Sequence, residues 1–347
     1  HGFFDSLPKL LKIATQLRPR NDGLRHRDWA DDDLLRAVRG LATGTSDAES
    51  QYDQEPTRHD ARLTGRGSTT RVLGRITVDL TAKAPFHRAM VASIVELTDA
   101  ASVDRAARAL FGSPIDTRPA VSHVFAAWRS AASVPLTTIN INEFAPKSEL
   151  DWLALHISRA RADGIIITGK ILRDEPNLSY SLEADPRWGN ALLKWRERRW
   201  GIFEPPWILV LTESGDIDFD HPVFHGWGRP MIFTSDRTAT RKLAAAPVPV
   251  VSDEAPDIRR AIRHLRLNRD AECVSIEAGP STARGLYERP MVIKELLLTV
   301  YMEPSLDPRA QGEPLVRLSE VRSLFHNETS AAHRDSGKHW SFYRLRR

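Results

Sequence analysis

A strand-to-helix turn near residue 280 carries the residue types that bind phosphate. Residues 277–282 read Glu-Ala-Gly-Pro-Ser-Thr; they follow an apolar run at 273–277 and precede a helix predicted over 281–289. Ser281 or Thr282 would cap that helix, whose first turn presents free N–H groups and the positive end of the helix dipole. Such a turn favours an anion. The alternative is a plain strand-to-helix connection with a capping hydroxyl.

A second candidate site lies at the end of an apolar strand. A helix predicted over 148–162 leads into the strand 164–168, which reads Gly-Ile-Ile-Ile-Thr, and an acidic loop follows at 173–178. In open α/β sheets, ligands bind at the carboxyl ends of parallel strands. We therefore expect the stretches near 165 and 275 to be neighbouring parallel strands whose tips meet at one edge.

Strands and helices alternate through most of the chain after residue 134. The predicted strands are 135–141, 164–168, 207–212, 230–234, 248–251, 273–277 and 296–302, and the predicted helices are 148–162, 187–200, 255–268 and 281–289. Several of these strands are apolar throughout, which is typical of strands covered on both faces. The fold class predicted from this alternation is α/β, with a mostly parallel sheet and helices on both faces. We expect this domain to span 134–325.

The first 130 residues are predicted to form an N-terminal, α-rich extension. The elements expected there are an amphipathic segment at 1–20, a helix at 29–41, a polar arm at 43–70, a strand at 71–81, and helices at 86–98, 102–112 and 120–132. The arm is rich in Gly, Ser, Gln and Pro, a composition typical of linkers. At the other end, residues 326–347 are predicted to be a basic, aromatic tail.

Composition excludes several classes of protein. Hydrophobic residues make up 41% and charged residues 27% of the 347 residues, a globular balance and not that of a disordered chain. No apolar run approaches the about 18 residues of a membrane-spanning helix. The single cysteine, Cys273, excludes a disulfide framework, and we expect it to be a small buried strand residue. The 12 histidines show no metal-ligand spacing, so no metal site is predicted.

Arginine dominates the basic residues, because 40 of the 49 basic residues are Arg. An arginine bias is typical of GC-rich coding, of organellar proteins or of an anionic partner, but the formal net charge of +4 is too small to predict nucleic-acid binding by itself. The sequence begins at His1, which indicates a removed presequence or a trimmed end. A mitochondrial or other organellar location is therefore favoured over the cytoplasm.

The order of the motifs after residue 134 resembles that of a known family. The motifs are Arg-Ala-Arg-Ala-Asp at 159–163, Gly169, Asp-Glu-Pro-Asn-Leu at 174–178, Glu-Ala-Gly-Pro at 277–280 and Lys-Glu-Leu at 294–296, followed by Pro304. Together they resemble the C-terminal reductase domain of the bacterial riboflavin-biosynthesis deaminase–reductase. The resemblance covers 134–325 and implies a dihydrofolate-reductase-like fold. It also implies an NADPH-dependent reductase that reduces the ribosyl group of a phosphoribosylaminopyrimidine.

The resemblance further implies which residues hold the cofactor. The cofactor would lie against Glu277 and the turn that follows it, where Gly279, Pro280, Ser281 and Thr282 would hold the diphosphate. Gly169 would lie along NADPH with Lys170 in place of a hydroxyl residue, and Asp174 and Pro176 would shape the edge of the site. Ser235 and Arg237 are candidates for the 2′-phosphate, since an arginine in a loop suits a phosphate, although ordinary loop solvation is the alternative. No catalytic residue is predicted, because hydride transfer needs no protein nucleophile.

Two functions remain open on the sequence. The first is this reductase. The second is a catalytically degenerate accessory subunit of a larger complex, which is suggested by departures from the family pattern. The family's segment between the first strand and the first helix is missing after 135–141, the loop from Gly169 to Pro176 is shortened, and Ala278 replaces a glycine. The zinc-site motif of the deaminase half does not occur either.

The accessory-subunit hypothesis implies protein partners, which would bind the polar arm or the basic tail. RNA is an alternative partner for that tail and for the helix at 187–200, which is rich in Trp and Arg. The simpler interpretation of this helix is a packed Trp stripe with a solvated face. A homodimer is left open.

Overall fold

The computed structural model of the protein describes residues 97–347. The helices are α1 (Ala100–Phe111), α2 (Glu149–Arg161), α3 (Gly169–Asp174), α4 (Gly189–Trp200), α5 (Asp236–Lys242), α6 (Ile258–Asn268), α7 (Pro280–Ala283) and α8 (Leu318–Arg322). The strands are β1 (Val121–Trp128), β2 (Thr137–Ile139), β3 (Gly164–Thr168), β4 (Trp207–Leu211), β5 (Arg229–Ser235), β6 (Val250–Asp253), β7 (Val274–Ile276), β8 (Glu295–Tyr301), β9 (Gln311–Pro314), β10 (Asn327–Asp335) and β11 (Lys338–Arg346). The amphipathic segment, the polar arm and the strand predicted before residue 97 lie outside the described residues.

These strands form one 11-stranded sheet in the described part of the chain. Its order is β10-β11-β8-β1-β7-β3-β4-β5-β6, and β2 pairs with the end of β1 and with β9. All neighbours from β8 to β6 are parallel, whereas β10, β11, β2 and β9 pair in antiparallel fashion. The sheet therefore confirms the predicted α/β class and its mostly parallel character.

The strands β3 and β7 are parallel neighbours, which confirms the prediction for the stretches near 165 and 275. Gly164 pairs with Val274, and Ile166 pairs with Ile276. On its other side β7 pairs with β1, where His123 lies opposite Ile276. Because β7 inserts between β1 and β3, the carboxyl ends of all three strands meet at one edge of the sheet.

Helices cover both faces of the sheet, because side chains along each buried strand alternate between two cores. In β3, Ile166 packs on one side with α6 and α8, whereas Ile165 and Ile167 pack on the opposite side. The face opposite α6 and α8 also carries α1, α2 and α4. None of the helices between residues 97 and 347 is long and apolar enough to cross a membrane.

The helix predicted over 120–132 is wrong, because Val121–Trp128 is the strand β1. This strand lies in the middle of the sheet, between β8 and β7. The domain boundary expected near residue 130 therefore falls inside the sheet domain, and α1 belongs to the same core. The helix predicted over 102–112 begins earlier, at Ala100, because Asp99 is its N-cap and Ser102 completes the capping box.

The basic tail expected at 326–347 is instead a hairpin of the sheet. The strand β11 pairs with β8 along its length, from Trp340 opposite Tyr301 to Arg346 opposite Glu295. Trp340, Phe342 and Arg344 are buried. Alternate side chains of this basic segment thus enter the interior, and its charge does not make it a free arm.

A buried cluster of charges joins this hairpin to the centre of the sheet. Glu295, at the start of β8, binds Arg161 of α2 and Arg344 of β11, and the Arg344 Nε to Glu295 Oε1 distance is 2.7 Å. All three side chains are at most 1% exposed. Burial alone would raise the pKa of Glu295, but the two arginines outweigh it and lower that pKa.

We expect Glu295→Gln to lower the free energy of unfolding by about 3–5 kcal/mol, because it removes the buried carboxylate that two buried guanidinium groups share and leaves Arg344 only the exposed Asp116, at 3.5 Å. Glu328→Gln, which removes the exposed partner of Arg322, is the matched control and should cost about 1 kcal/mol or less. Urea denaturation of both variants measures the difference. Equal losses in the two variants would contradict a structural role for the cluster.

Candidate active site

The candidate site lies where β1, β3 and β7 end together. In the sheet, β1 and β3 are separated by one position, and β7, which comes much later in the chain, occupies it. A reversal of strand order of this kind leaves a crevice at the carboxyl edge, where open α/β sheets bind ligands. The two segments singled out from the sequence, at 169–178 and 277–282, both leave the sheet at this edge.

The turn after β7 presents its backbone to solvent at Gly279. Gly279 is exposed, and a Cβ atom placed on it would meet no atom within 4 Å. Ala278, which stands where the family pattern has a glycine, is 1% exposed and packs in the core, so its methyl group does not lie on the exposed side of the turn. The helix expected at 281–289 is shorter than predicted, since α7 has four residues and passes into a 3₁₀ turn at Arg284–Leu286.

The buried side chain of His123 holds this turn in place through two hydrogen bonds. His123 Nε2 donates to the carbonyl of Ala278 at 3.1 Å, so Nδ1 accepts from the Tyr287 hydroxyl at 2.6 Å. Burial lowers the pKa of His123 to about 4, which keeps the ring neutral, as this arrangement requires. The two bonds tie β1 to both ends of the segment 278–287. His123 is thus a buried residue whose two ring nitrogens both have hydrogen-bond partners.

Arg159 and Glu277 form a buried ion pair beside the turn. Arg159 lies near the end of α2, and its Nη2 donates to Glu277 Oε2 at 2.7 Å while Nε donates to Oε1 at 3.0 Å. Their side chains are 1% and 6% exposed. The guanidinium also stacks on Tyr180, 4.3 Å from the ring centroid, and donates to the carbonyl of Ser179. Glu277 is therefore engaged by the protein and is not free to bind a cofactor hydroxyl.

Glu175 is a site residue that the sequence analysis missed. It ends α3, between Asp174 and Pro176, and its half-buried carboxyl makes no hydrogen bond to the described residues. Burial raises the pKa of Glu175 to about 7; Arg159 opposes this shift, whereas Glu277 and Asp174 add to it. The only sequence signal is its place in the acidic Pro loop. At a pH near this pKa, about half of the protein molecules carry a proton on this carboxyl.

The remaining predicted residues of the first loop have structural roles. Thr168 caps α3. Gly169 is buried, and a Cβ atom placed on it would lie only 3.1 Å from Thr212 Oγ1. Lys170 pairs with Asp174 one turn further along the same helix, and both side chains are exposed. Pro176 is exposed after the helix end. Lys170 therefore does not occupy the space beside Gly279.

The two candidates for the 2′-phosphate lie at the end of β5. The Ser235 hydroxyl caps α5 by accepting from the backbone N–H of Thr238 at 3.2 Å. Arg237 is exposed and makes no ion pair with a described residue. From β7 to β5 there are three strand spacings, about 14 Å, so Arg237 lies on the same edge but not in contact with Gly279.

The sequence predicted that a segment was missing after the first strand, because it placed that strand at 135–141. The first strand is β1, and residues 129–136 follow it before β2 begins. This connection reads Arg-Ser-Ala-Ala-Ser-Val-Pro-Leu. The chain thus has a segment after its first strand, and it lies earlier than the motif comparison placed it.

Cys273 lies just before β7 and is buried, as expected. Burial raises the pKa of its thiol to about 11, so the thiolate needed for nucleophilic chemistry does not form near neutral pH. In the described range 97–347, no group of three or more His, Cys, Asp and Glu side chains is placed to hold a metal ion. The helix rich in Trp and Arg, α4, buries Trp195, whose Nε1 donates to Asp104 at 2.7 Å.

Comparison with known proteins gives only distant similarity. No family model and no curated protein matches the chain. Similar solved structures include the riboflavin biosynthesis reductase Rib7 of Saccharomyces cerevisiae, with 13% identity and a TM-score of 0.41 over 68% of this chain and 94% of that one. For RibD of Acinetobacter baumannii these values are 11%, 0.44, 66% and 58%. For a pyrimidine reductase-like protein of Corynebacterium diphtheriae they are 13%, 0.44, 72% and 99%.

Three groups of the rim bear on chemistry: the exposed backbone at Gly279, the carboxyl of Glu175 with its raised pKa, and the ion pair of Arg159 with Glu277 that holds both segments in place.

The pKa of Glu175 predicts a pH-dependent contribution to stability. Because folding raises this pKa, the folded protein binds more protons than the unfolded chain between about pH 4.5 and pH 7, and stability falls as the pH rises through that window. We expect Glu175→Gln to remove this decline and to raise stability at pH 8 by on the order of 1 kcal/mol. Thermal unfolding at pH 4 and pH 8 tests it, and parallel pH profiles for the two proteins would contradict the assignment.

Proposed function

We propose that this protein is an NADPH-dependent reductase of the riboflavin-biosynthesis type, which binds the dinucleotide along the carboxyl edge of its sheet. The observation that carries the proposal is the open backbone at Gly279, at the tip of the strand that lies between β1 and β3. A pyrophosphate needs close approach to backbone N–H groups, and a glycine without neighbours permits it. Ser281 is exposed and Thr282 half-buried beside it, and both add hydroxyl donors.

The two ends of the dinucleotide fit this edge. Arg237, about 14 Å away by strand spacing, suits the 2′-phosphate because it has no described carboxylate partner. Bound NADPH would supply a hydride to a carbonyl or imine carbon of the substrate. The oxygen or nitrogen that gains the electron pair needs a proton, and Glu175 holds one at the same rim. A phosphoribosylaminopyrimidine is the substrate that the motif order suggests.

The accessory-subunit hypothesis stays a prediction from the sequence. The polar arm expected to bind its partners lies outside residues 97–347, whereas the basic tail expected to do so is part of the sheet. An organellar location, protein partners at the arm, RNA binding and a homodimer stay predictions from the sequence.

We expect Gly279→Ala to weaken NADPH binding roughly tenfold, because its methyl group occupies the space into which a phosphate must come. The fold should tolerate the change, since that space is open in the protein. Gly285→Ala is the matched control, because a Cβ at Gly285 also meets nothing within 4 Å and lies beyond the turn. NADPH fluorescence titration measures both. If the unaltered protein does not bind NADPH, the proposed function is wrong.

Arg237→Gln tests the other end of the dinucleotide. We expect it to weaken NADPH binding by about tenfold and to leave NADH binding unchanged, because only NADPH carries the 2′-phosphate. Arg241→Gln, in the last turn of α5, is the control. An equal loss of affinity for both cofactors, or no loss for either, would remove Arg237 from the site.

A further inference from the structure

A cavity of about 330 Å³ lies at the end of β8, between the loop that leads into α2 and the turn that joins β10 to β11. Part of its lining is aromatic or aliphatic, namely Phe144, Pro146, Tyr301 and Leu306. Two lysines line it as well, Lys147 from the loop and Lys338 from the start of β11. The volume falls in the range of small-molecule sites, which begins at about 300 Å³.

We propose that this cavity binds a small doubly charged anion with an apolar body, such as an aryl phosphate or an aromatic dicarboxylate. The proposal does not rest on the proposed function, because none of the lining residues belongs to the segments 169–178 and 277–282. Three observations support it. The two lysines are held side by side without a counter-charge, the acids around them are already paired, and the apolar lining is fixed by packing.

A buried aspartate brings the two lysines together. Asp335 Oδ2 accepts from the Ser148 hydroxyl at 2.7 Å and from the backbone N–H of Leu150 at 3.2 Å. Ser148 directly follows Lys147 in the chain. On the other side of this contact, Lys338 is the cross-strand partner of Asp335 in the hairpin. One buried carboxylate therefore fixes the segments that carry the two lysines next to each other.

Both ammonium groups lack a partner within the described part of the chain. The two lysine side chains are exposed, and neither makes an ion pair or a hydrogen bond with a described residue. The Ser305 side chain, which also lines the cavity, is exposed and makes no such bond either. Two positive charges held close together repel each other, and a dianion between them removes that repulsion. Hydrogen bonds from these ammonium and hydroxyl groups to an anion are charge-assisted, and hence strong.

The carboxylates around the cavity are already engaged. Asp307, which lines it, binds Arg309 with an Nη2 to Oδ2 distance of 2.8 Å, and the hydrogen bonds from Arg309 lower the pKa of Asp307 to about 2. Glu303 accepts from the backbone N–H and the ring Nδ1 of His339, at 2.8 and 2.9 Å. These bonds lower the pKa of Glu303, and Lys338 adds a smaller effect. Both acids thus have hydrogen-bonding partners of their own and leave the lysines to an incoming anion.

The apolar part of the lining is held in place by packing. Tyr301 is buried and lies against Trp340, with ring centroids 4.8 Å apart. The guanidinium carbon of Arg309 lies 3.3 Å from the centroid of the Phe144 ring. Because these rings are restricted before a ligand arrives, an apolar body that contacts them binds at little cost in side-chain entropy. Removal of that body from water is favourable as well, so the site fits an anion attached to a ring better than a bare ion.

Phenyl phosphate and isophthalate are suitable probes, because at pH 8 both are dianions that carry an aromatic ring. Benzamide is the uncharged comparison. In isothermal titration calorimetry of the full chain, we expect at least one dianion to bind at least about tenfold more tightly than benzamide. Lys147→Gln and Lys338→Gln should each weaken that dianion roughly tenfold, because each removes a charge-assisted hydrogen bond. Lys294→Gln is the matched control, since Lys294 is exposed at the opposite end of β8, and it should have no effect.

The two probes also distinguish the source of the charge. Tighter binding of phenyl phosphate assigns the site to phosphate esters, tighter binding of isophthalate assigns it to dicarboxylates, and equal affinities assign it to dianions of either kind. Arg237→Gln should leave the affinity unchanged, since Arg237 belongs to the proposed cofactor site. The substituted positions are all exposed, so the variants should fold.

Several results would overturn the proposal. They are no binding of either dianion, equal binding of benzamide, no loss in one or both of the Lys147 and Lys338 variants, or a similar loss in Lys294→Gln or Arg237→Gln. Dianion binding without NADPH binding would refute the proposed reductase and leave this site intact. NADPH binding without dianion binding would do the reverse.

Discussion

A buried guanidinium without a counter-charge is among the costliest groups a protein can hold, so the buried Arg159 depends on its carboxylate partner Glu277. Its partner Glu277 comes from the tip of β7, and its stacking partners Trp152 and Tyr180 come from α2 and the loop after α3. Buried pairs contribute little net stability but fix geometry, because breaking one is far costlier than forming it repays. The pair thus sets where the turn at Gly279 lies relative to α2.

Much of the parallel sheet follows from local sequence. The run 164–168 has no polar side chain before Thr168, and the strand β3 has the predicted bounds. The sequence predicted a helix over 120–132 where the strand β1 lies, and this error has a physical reason. Val121, Val124, Phe125 and Trp128 are spaced as one face of a helix, and a strand buried on both faces gives the same apolar pattern. Only pairing with β7 and β8 decides between the two, and periodicity carries no information about pairing.

The hairpin and the charge states of the site could not be predicted from local sequence for a related reason. The contacts that determine them join residues that are far apart in the chain. In the sequence Arg344 looks like a surface charge of a basic segment. In the fold it lies opposite Leu297 and is buried in an ion pair with Glu295, two residues further along the neighbouring strand. Arg159 and Glu277 are 118 residues apart in the chain. Glu175 looks like an ordinary loop carboxylate in the sequence, and its raised pKa arises from burial in the assembled rim. Motif order located the segments of the site, whereas the state of each charge depended on tertiary packing.

The electrostatics of the rim bring these elements together. Two carboxyl groups, Glu277 and Glu175, lie near the turn proposed to take a pyrophosphate, and two free carboxylates there would repel it. Glu277 is neutralised by Arg159. Glu175 is held partly protonated near neutral pH by burial and by the neighbouring acids. The rim therefore carries less negative charge than its sequence suggests, and this makes an acidic loop compatible with a site for an anionic cofactor. The same proton that lowers the charge of the rim is the one a reduced substrate would need.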